Sequence, residues 1–192
     1  MEDIQLKDIW QAKERLSGLV HQTSLGRSRS LDAMTGGDIF LKLENMQKTG
    51  SFKVRGAGNR VLTLTEEQAK SGVVAASAGN HAQGVALAAT RAGIASTIVM
   101  PEGAPLSKVM ATRGYGAKVV LAGNSYDEAY EKAVALSQET GAAYLHAYDD
   151  PYVIAGQGTV GLEIMEQLPD VDVILVPVGG GGLASGVAIA VK

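Results

Sequence analysis

The 192-residue sequence contains no cysteine, which excludes disulfides and cysteine-based metal sites. It also lacks any uncharged apolar run of the ~18 residues that a membrane span requires. The most apolar stretch, residues 171–191, is interrupted by Asp172, Pro177 and a run of glycines. No basic stripe is present: 17 Lys and Arg against 20 Asp and Glu leave a net charge of -3, and nucleic acid has no electrostatic footprint to bind. The start Met1-Glu2-Asp3-Ile4 lacks the basic-then-apolar order of a secretory signal. These absences predict a soluble cytoplasmic protein whose partners are small molecules rather than nucleic acid or membrane. His21, His81 and His146 have no metal-ligand spacing. No internal repeat, charge block or low-complexity linker marks a flexible boundary.

What is present is a large apolar fraction, 46%, enough for a substantial core, and 24 glycines, which signal tight turns and close backbone approaches. Residues 6–17 predict a helix that packs through Ile9, Trp10, Ala12 and Leu16. Thereafter short apolar runs alternate with helical patterns. Strands are predicted at 73–76, 94–100, 118–121, 143–145 and 171–178. Helices are predicted at 52–64, 80–92, 105–113 and 125–140, with Ser125 as N-cap, and from Pro151, with Asp150 as cap, and Leu183 onward. Gly36-Gly37 and Ala122-Gly123-Asn124 read as turns. Short strands separated by helices of about 10–15 residues imply βαβ units and a parallel sheet, so the predicted class is α/β.

Three places could carry chemistry. Lys53, between Phe52 and Val54, would be a nucleophilic amine if apolar neighbours lowered its pKa; otherwise it is a surface lysine at a helix start. Ser77-Ala78-Gly79-Asn80-His81 turns from a strand directly into a helix, whose free N–H groups favour a carboxylate; taken alone, an ordinary Ser or Asn helix cap with Gly79 turning the chain is the better reading. Gly179-Gly180-Gly181-Gly182, between a predicted strand and helix, lets backbone amides approach a phosphate. Four such residues cost roughly 0.5–1 kcal/mol of chain entropy each, which favours an anion site over a mere turn.

These motifs carry a resemblance. Leu43-Glu44-Asn45, the run Thr49 to Ala57, the run Ser77 to Gly84, the run Ala155 to Thr159, and Val178 to Leu183 resemble, in order and spacing, the serine/threonine dehydratase family. The sequence is most similar to its catabolic threonine ammonia-lyases, which are fold type II pyridoxal phosphate enzymes. The resemblance implies open parallel twisted sheets with flanking helices, as in the tryptophan synthase β fold. It divides the chain into residues 1–49 of a cofactor domain, a small substrate-gripping domain at 50–150, and a return to the cofactor domain at 151–192. The C-terminal part of the cofactor domain, with the partner of the pyridine nitrogen, is expected to lie beyond the phosphate loop and outside this sequence.

The resemblance also implies roles. Lys53 would hold pyridoxal 5'-phosphate covalently and then serve as the base at Cα, with Phe52 beside the ring and Asn80 on the phenolic oxygen. Ser77, grouped with Lys53 as catalytic, would hold the substrate carboxylate together with Ala78, Gly79, Asn80 and His81. Gly179, Gly180, Gly181, Gly182 and Leu183 would bind the phosphate. The expected reaction is α,β-elimination of L-threonine or L-serine to 2-oxobutanoate or pyruvate and ammonia. Serine racemases of this fold usually carry serine at the position of Ala78, so alanine favours elimination over racemisation. A homo-oligomer, or pairing with a complementary C-terminal chain, and an AMP effector follow from the family.

Three other readings compete. The chain could be an inactive or partner-dependent fragment of such an enzyme. Ser77 could be a hydrolase nucleophile with Asp127 and His146 following in hydrolase order, although Ala75 replaces the first glycine of the elbow motif. Gly179, Gly181 and Ala184 fit a dinucleotide fingerprint whose acidic ribose ligand would lie past residue 192. Arg55 and Gln157 are either site residues or structural hydrogen-bonders, and Asp127, Glu128, Glu131 and Lys132 read as a solvated helix face.

Overall fold

A computed structural model describes residues 4–192. The chain opens with α1 (Leu6–Arg15), then β1 (Leu25–Arg27), α2 (Arg29–Thr35) and β2 (Phe40–Lys42), followed by two 3-10 turns at Glu44–Met46 and Lys48–Gly50. Next come α3 (Lys53–Leu62), α4 (Glu66–Ser71), β3 (Val73–Ala76), α5 (Asn80–Arg91), β4 (Ser96–Met100), α6 (Leu106–Gly114), β5 (Lys118–Leu121), α7 (Tyr126–Thr140) and β6 (Ala143–Tyr144). Two helices close the chain, α8 (Pro151–Gln167) and α9 (Gly182–Val191).

Strands β5-β4-β3-β6 form one parallel sheet in that order, with Val73 opposite Ser96 and Ile98 opposite Val119. Side chains alternate across it. Val73, Ala75, Ile98 and Met100 join Ala82, Val85, Ala86 and Ala89 of α5 and Ala57 and Val61 of α3. Val74, Ala76 and Val99 face the other way and meet Ala129 and Ala133 of α7. This period of two explains why β3 is a continuous apolar run: both of its faces are covered. The caps are local. Ser125 Oγ accepts from Glu128 N at 3.2 Å, and Asp150 Oδ1 accepts from Tyr152 N and Val153 N at 2.8 and 3.0 Å.

The remaining helices gather around α8, whose buried stripe of small residues admits other backbones directly. A methyl group on Gly156 would stand 2.5 Å from the carbonyl oxygen of Arg55 in α3, and one on Gly186 of α9 would stand 2.4 Å from that of Ile154. Helices α3, α8 and α9 therefore touch main chain to main chain. Arg55, fully buried, cements the arrangement: Nη2 donates to Glu44 Oε1 at 2.7 Å and Nη1 to Glu163 Oε1 at 2.6 Å and Thr159 Oγ1 at 3.1 Å. Lys42 Nζ joins at 2.6 Å from Glu163 Oε2. Burial works against the Arg55 charge, but the hydrogen bonds to Glu44 and Glu163 outweigh it and hold its pKa above the ordinary value. Gln157 Oε1 accepts from Gly56 N at 3.2 Å, so both residues serve as structural hydrogen-bonders.

Two expectations are corrected. Residues 171–178 form no strand: no described strand lies alongside to pair with them, although the alternation persists. Ile174 and Val176 pack on Val160, Ile164 and Val187, whereas Val173 and Leu175 are 71% and 89% exposed. Trp10 does not join the packing face of α1; it lies half-exposed with Lys13 Nζ 5.1 Å from its ring centroid, while Ile9, Ala12 and Leu16 are buried. The pair β1 and β2, antiparallel and three residues each, was too short to leave an alternating pattern in the sequence.

Candidate active site

Lys53 is the first residue of α3, and the chain reaches it through a contorted approach. Thr49 has φ 67° and Gly50 φ 70°, and Thr49 is the one non-glycine residue with positive φ among the described residues. Such a backbone costs about 1–3 kcal/mol and persists where its surroundings hold it. The hydroxyls of Thr49 and Ser51 beside it are buried without a hydrogen-bond partner. Lys53 Nζ donates to the carbonyl oxygen of Ala147 at 2.8 Å and lies 5.4 Å from the centroid of the Phe52 ring. Burial lowers its pKa, which favours the neutral, nucleophilic amine.

Two helices near it start without side-chain caps. Helix α5 begins after Gly79, and helix α9 after Gly181, whose φ is 88°. Their first N–H groups have no intrahelical acceptor, and the aligned peptide dipoles favour an anion at each start. At α5, Ser77 Oγ accepts from Gly79 N at 3.2 Å, Ala78 is half-buried, and Asn80 is exposed with Lys108 Nζ 3.4 Å from its Oδ1. His81 turns inward. Its Nε2 lies 3.2 Å from the carbonyl oxygen of Leu145, which can only accept, so Nε2 carries the hydrogen and Nδ1 presents a bare, buried lone pair without a partner. Burial, reinforced by the nearby Lys53 and His146, takes the His81 pKa down to about 4 despite that hydrogen bond, so its ring is neutral.

The run Leu145-His146-Ala147-Tyr148 ties these parts together. Leu145 N donates to Val74 O of β3 at 2.8 Å, Leu145 O holds His81, and Ala147 O holds Lys53. Tyr148 lies under the glycine loop: methyl groups on Gly180 and Gly182 would meet its ring at 2.4 Å and its carbonyl oxygen at 2.8 Å. No motif singled out this run, because two of its four contributions are carbonyl oxygens that any residue supplies; its place between β6 and α8 was the one available signal.

The predicted positions thus divide plainly. Lys53 and Phe52 lie side by side, and Ser77, Ala78, Gly79, Asn80 and His81 make one helix start. Gly179, Gly180, Gly181, Gly182 and Leu183 make the other, with Leu183 packed on the Val160, Ile164 and Val187 cluster. The hydrolase triad does not assemble. His146 Nδ1 accepts from Asp149 N at 2.8 Å, Asp127 is exposed in the first turn of α7, and no hydrogen bond joins either to Ser77 among the described residues. An amine of lowered pKa, bonded to the run that packs on the glycine loop, suits a ligand that carries an aldehyde and an acidic group.

The chain is similar to known proteins in sequence and in fold. A family model described as pyridoxal-phosphate dependent enzyme matches residues 16–192. The chain is 61% identical over 189 residues to an L-threonine ammonia-lyase of Thermotoga maritima, covering 98% of this chain and 47% of that protein. It is 51% identical to a catabolic L-threonine dehydratase of Escherichia coli, covering 98% and 57%. A solved structure of maize serine racemase superposes with a TM-score of 0.94 at 45% identity, over 97% of this chain and 56% of that one. The chain spans about half the length of the curated relatives it matches. With this fold, this lysine and a family match over most of its length, the chain belongs to the pyridoxal-phosphate dependent enzymes of fold type II.

Proposed function

We propose that this chain carries the lysine and the two anion cradles of a lyase that converts L-threonine, and L-serine, to the 2-oxo acid and ammonia. The carrying observation is the half-buried Lys53 amine, held by the same four-residue run that seats the uncapped start of α9 and anchors His81 in α5. The residues present suit pyridoxal phosphate: an amine of lowered pKa for its aldehyde, and a glycine-lined helix start without a side-chain cap for its phosphate. Lys53 would hold the aldehyde carbon, Gly179 to Leu183 the phosphate, and Phe52 and Asn80 the ring and its phenolic oxygen. When bound, the cofactor supplies the electron sink that makes a Cα proton removable. Lys53 takes that proton. Ser77 and the amides of α5 hold the substrate carboxylate and so fix which Cα bond faces the amine. The β-hydroxyl departs as water, and hydrolysis of the released unsaturated amine takes water up again and gives ammonia.

Ala78 lacks a hydroxyl to return a proton from the opposite face, which supports elimination against the racemase alternative raised by the maize likeness. D-serine formed from L-serine at a rate comparable to pyruvate would reverse that choice. The division at residues 49 and 150 belongs to the same proposal, supported by core clusters that draw separately on the sheet and on α1, α8 and α9. So do an oligomer and an AMP effector, which sedimentation and assays with AMP would test. A second reading, a fragment active only with a complementary C-terminal chain, is favoured by the apolar exposure of Val173, Leu175 and Val178. The test is the absorption spectrum after adding pyridoxal phosphate to the chain and to Lys53→Ala. A visible band that requires Lys53, followed by turnover of threonine, supports the lyase. A band without turnover favours the fragment, and no band in a folded chain removes the cofactor site from these residues.

A further inference from the structure

The four consecutive glycines do not share one purpose. Gly181 needs its φ of 88° to start α9, and a methyl group on Gly179 would meet nothing within 4 Å. Gly180 and Gly182 are different: both are forced by Tyr148. A methyl on Gly180 would stand 2.4 Å from Cγ and 2.5 Å from both Cδ1 and Cδ2, so the glycine lies on the face of the ring rather than at its edge. A methyl on Gly182 would meet Tyr148 O at 2.8 Å and its Cα and Cβ at 3.1 Å. Half of the loop is thus moulded on one side chain and its own backbone.

That residue is also bonded to the group that holds the lysine. The peptide joining Ala147 to Tyr148 presents its carbonyl oxygen to Lys53 Nζ at 2.8 Å. Its orientation is fixed from both sides. His146 Nδ1 accepts from Asp149 N at 2.8 Å and lies 3.4 Å from Tyr148 N, and the imidazole packs edge-on against the Tyr148 ring at 4.6 Å between centroids. The ring set between this imidazole and Gly180 thus belongs to the residue whose own amide forms the peptide that carries the lysine's acceptor, so a shift of Tyr148 on its neighbours moves both.

We propose that Tyr148 is a positioning residue that couples the glycine loop to Lys53, so that the anion cradle and the amine hold one fixed relation. The inference rests on the cofactor reading for its purpose, but not for its test. The ring is the part that meets the loop, with Cγ, Cδ1 and Cδ2 nearest Gly180.

The experiment uses the unliganded chain and compares wild type with Tyr148→Phe, Tyr148→Leu and Tyr148→Ala. Two rates are followed: hydrogen exchange of the Ser185 amide, which bonds to Gly181 O at 2.9 Å, and acylation of Lys53 at pH 8. Tyr148→Ala should speed Ser185 exchange about tenfold while leaving the β3 and β4 amides unchanged. It should also speed Lys53 acylation about threefold, since an amine that loses its carbonyl acceptor is less stabilised as the ammonium. Tyr148→Phe should match wild type. If Tyr148→Ala disturbs the sheet amides, Tyr148→Leu carries the same expectation. Unchanged Ser185 exchange, or a freed loop with Lys53 acylation unaltered, overturns the coupling. Failure to bind pyridoxal phosphate would count against the cofactor reading alone, because neither rate requires it.

Discussion

Residues 73–76 and 171–178 are both short apolar runs that follow a helix and lead into another, yet they end in different states. The first lies between β4 and β6 with every side chain buried; the second is unpaired, with Val173, Leu175 and Val178 turned to solvent. Apolar composition does not distinguish them. What separates them is whether a neighbouring strand accepts their N–H and C=O groups and whether a helix covers each face. Strand formation is a property of the pair, whereas alternation belongs to the single segment, which is why Ile174 and Val176 still face the core.

The contrast can be broken hardest at the seam. Arg55→Ala leaves Glu44 and Glu163 without their shared cation and should cost about 3–5 kcal/mol, seen as an early urea midpoint for the whole chain. Inside the sheet, Ile98→Ala removes a fully buried side chain from the core cluster shared with α5 and should cost about 2–5 kcal/mol by the same measurement.

Acid should act on the covered region as well. The folded pKa of His81 is depressed to about 4 from 6.5, so between those values the unfolded chain binds the extra proton and stability falls as pH drops. A loss of about 2–3 kcal/mol is expected between pH 7 and pH 4 from this group. His81→Gln should flatten the slope of urea midpoint against pH; an equal slope in both proteins would assign acid sensitivity elsewhere. Smallest of all, Leu175→Ser should change stability by no more than about 0.5 kcal/mol, because the side chain it replaces is already in water. It should instead reduce self-association in sedimentation. A cost like that of Ile98→Ala would mean that residues 171–178 are covered in solution.

Much of this was legible from sequence, and the reasons differ by element. Helices α7 and α8 announce themselves through their caps at Ser125 and Asp150, and α5 and strands β3 and β5 through their apolar pattern, all of which are local. Lys53, the start of α5 and the glycine loop are legible because side-chain type and glycine content mark them. The ion cluster is not: Arg55 meets Glu163 across 108 residues, and no spacing rule reaches that far. Nor is the role of Leu145 and Ala147, whose working atoms are main-chain oxygens identical in every residue. Tyr148 was hidden for the opposite reason, since its effect is written in the residues that face it, Gly180 and Gly182.

The direct meeting of α3, α8 and α9 at Gly156 and Gly186 has a consequence for how such a site can be tuned. Side chains at a helix interface act as adjustable shims, and a larger or smaller one resets the spacing. At these two points there is none to exchange, so the closest approaches of α3 and α9 to α8 are set by main chain, while Val160, Ile164 and Val187 fill the interface around them. A side chain introduced at Gly156 or Gly186 must therefore push two backbones apart, and any change of spacing between these helices begins with that displacement.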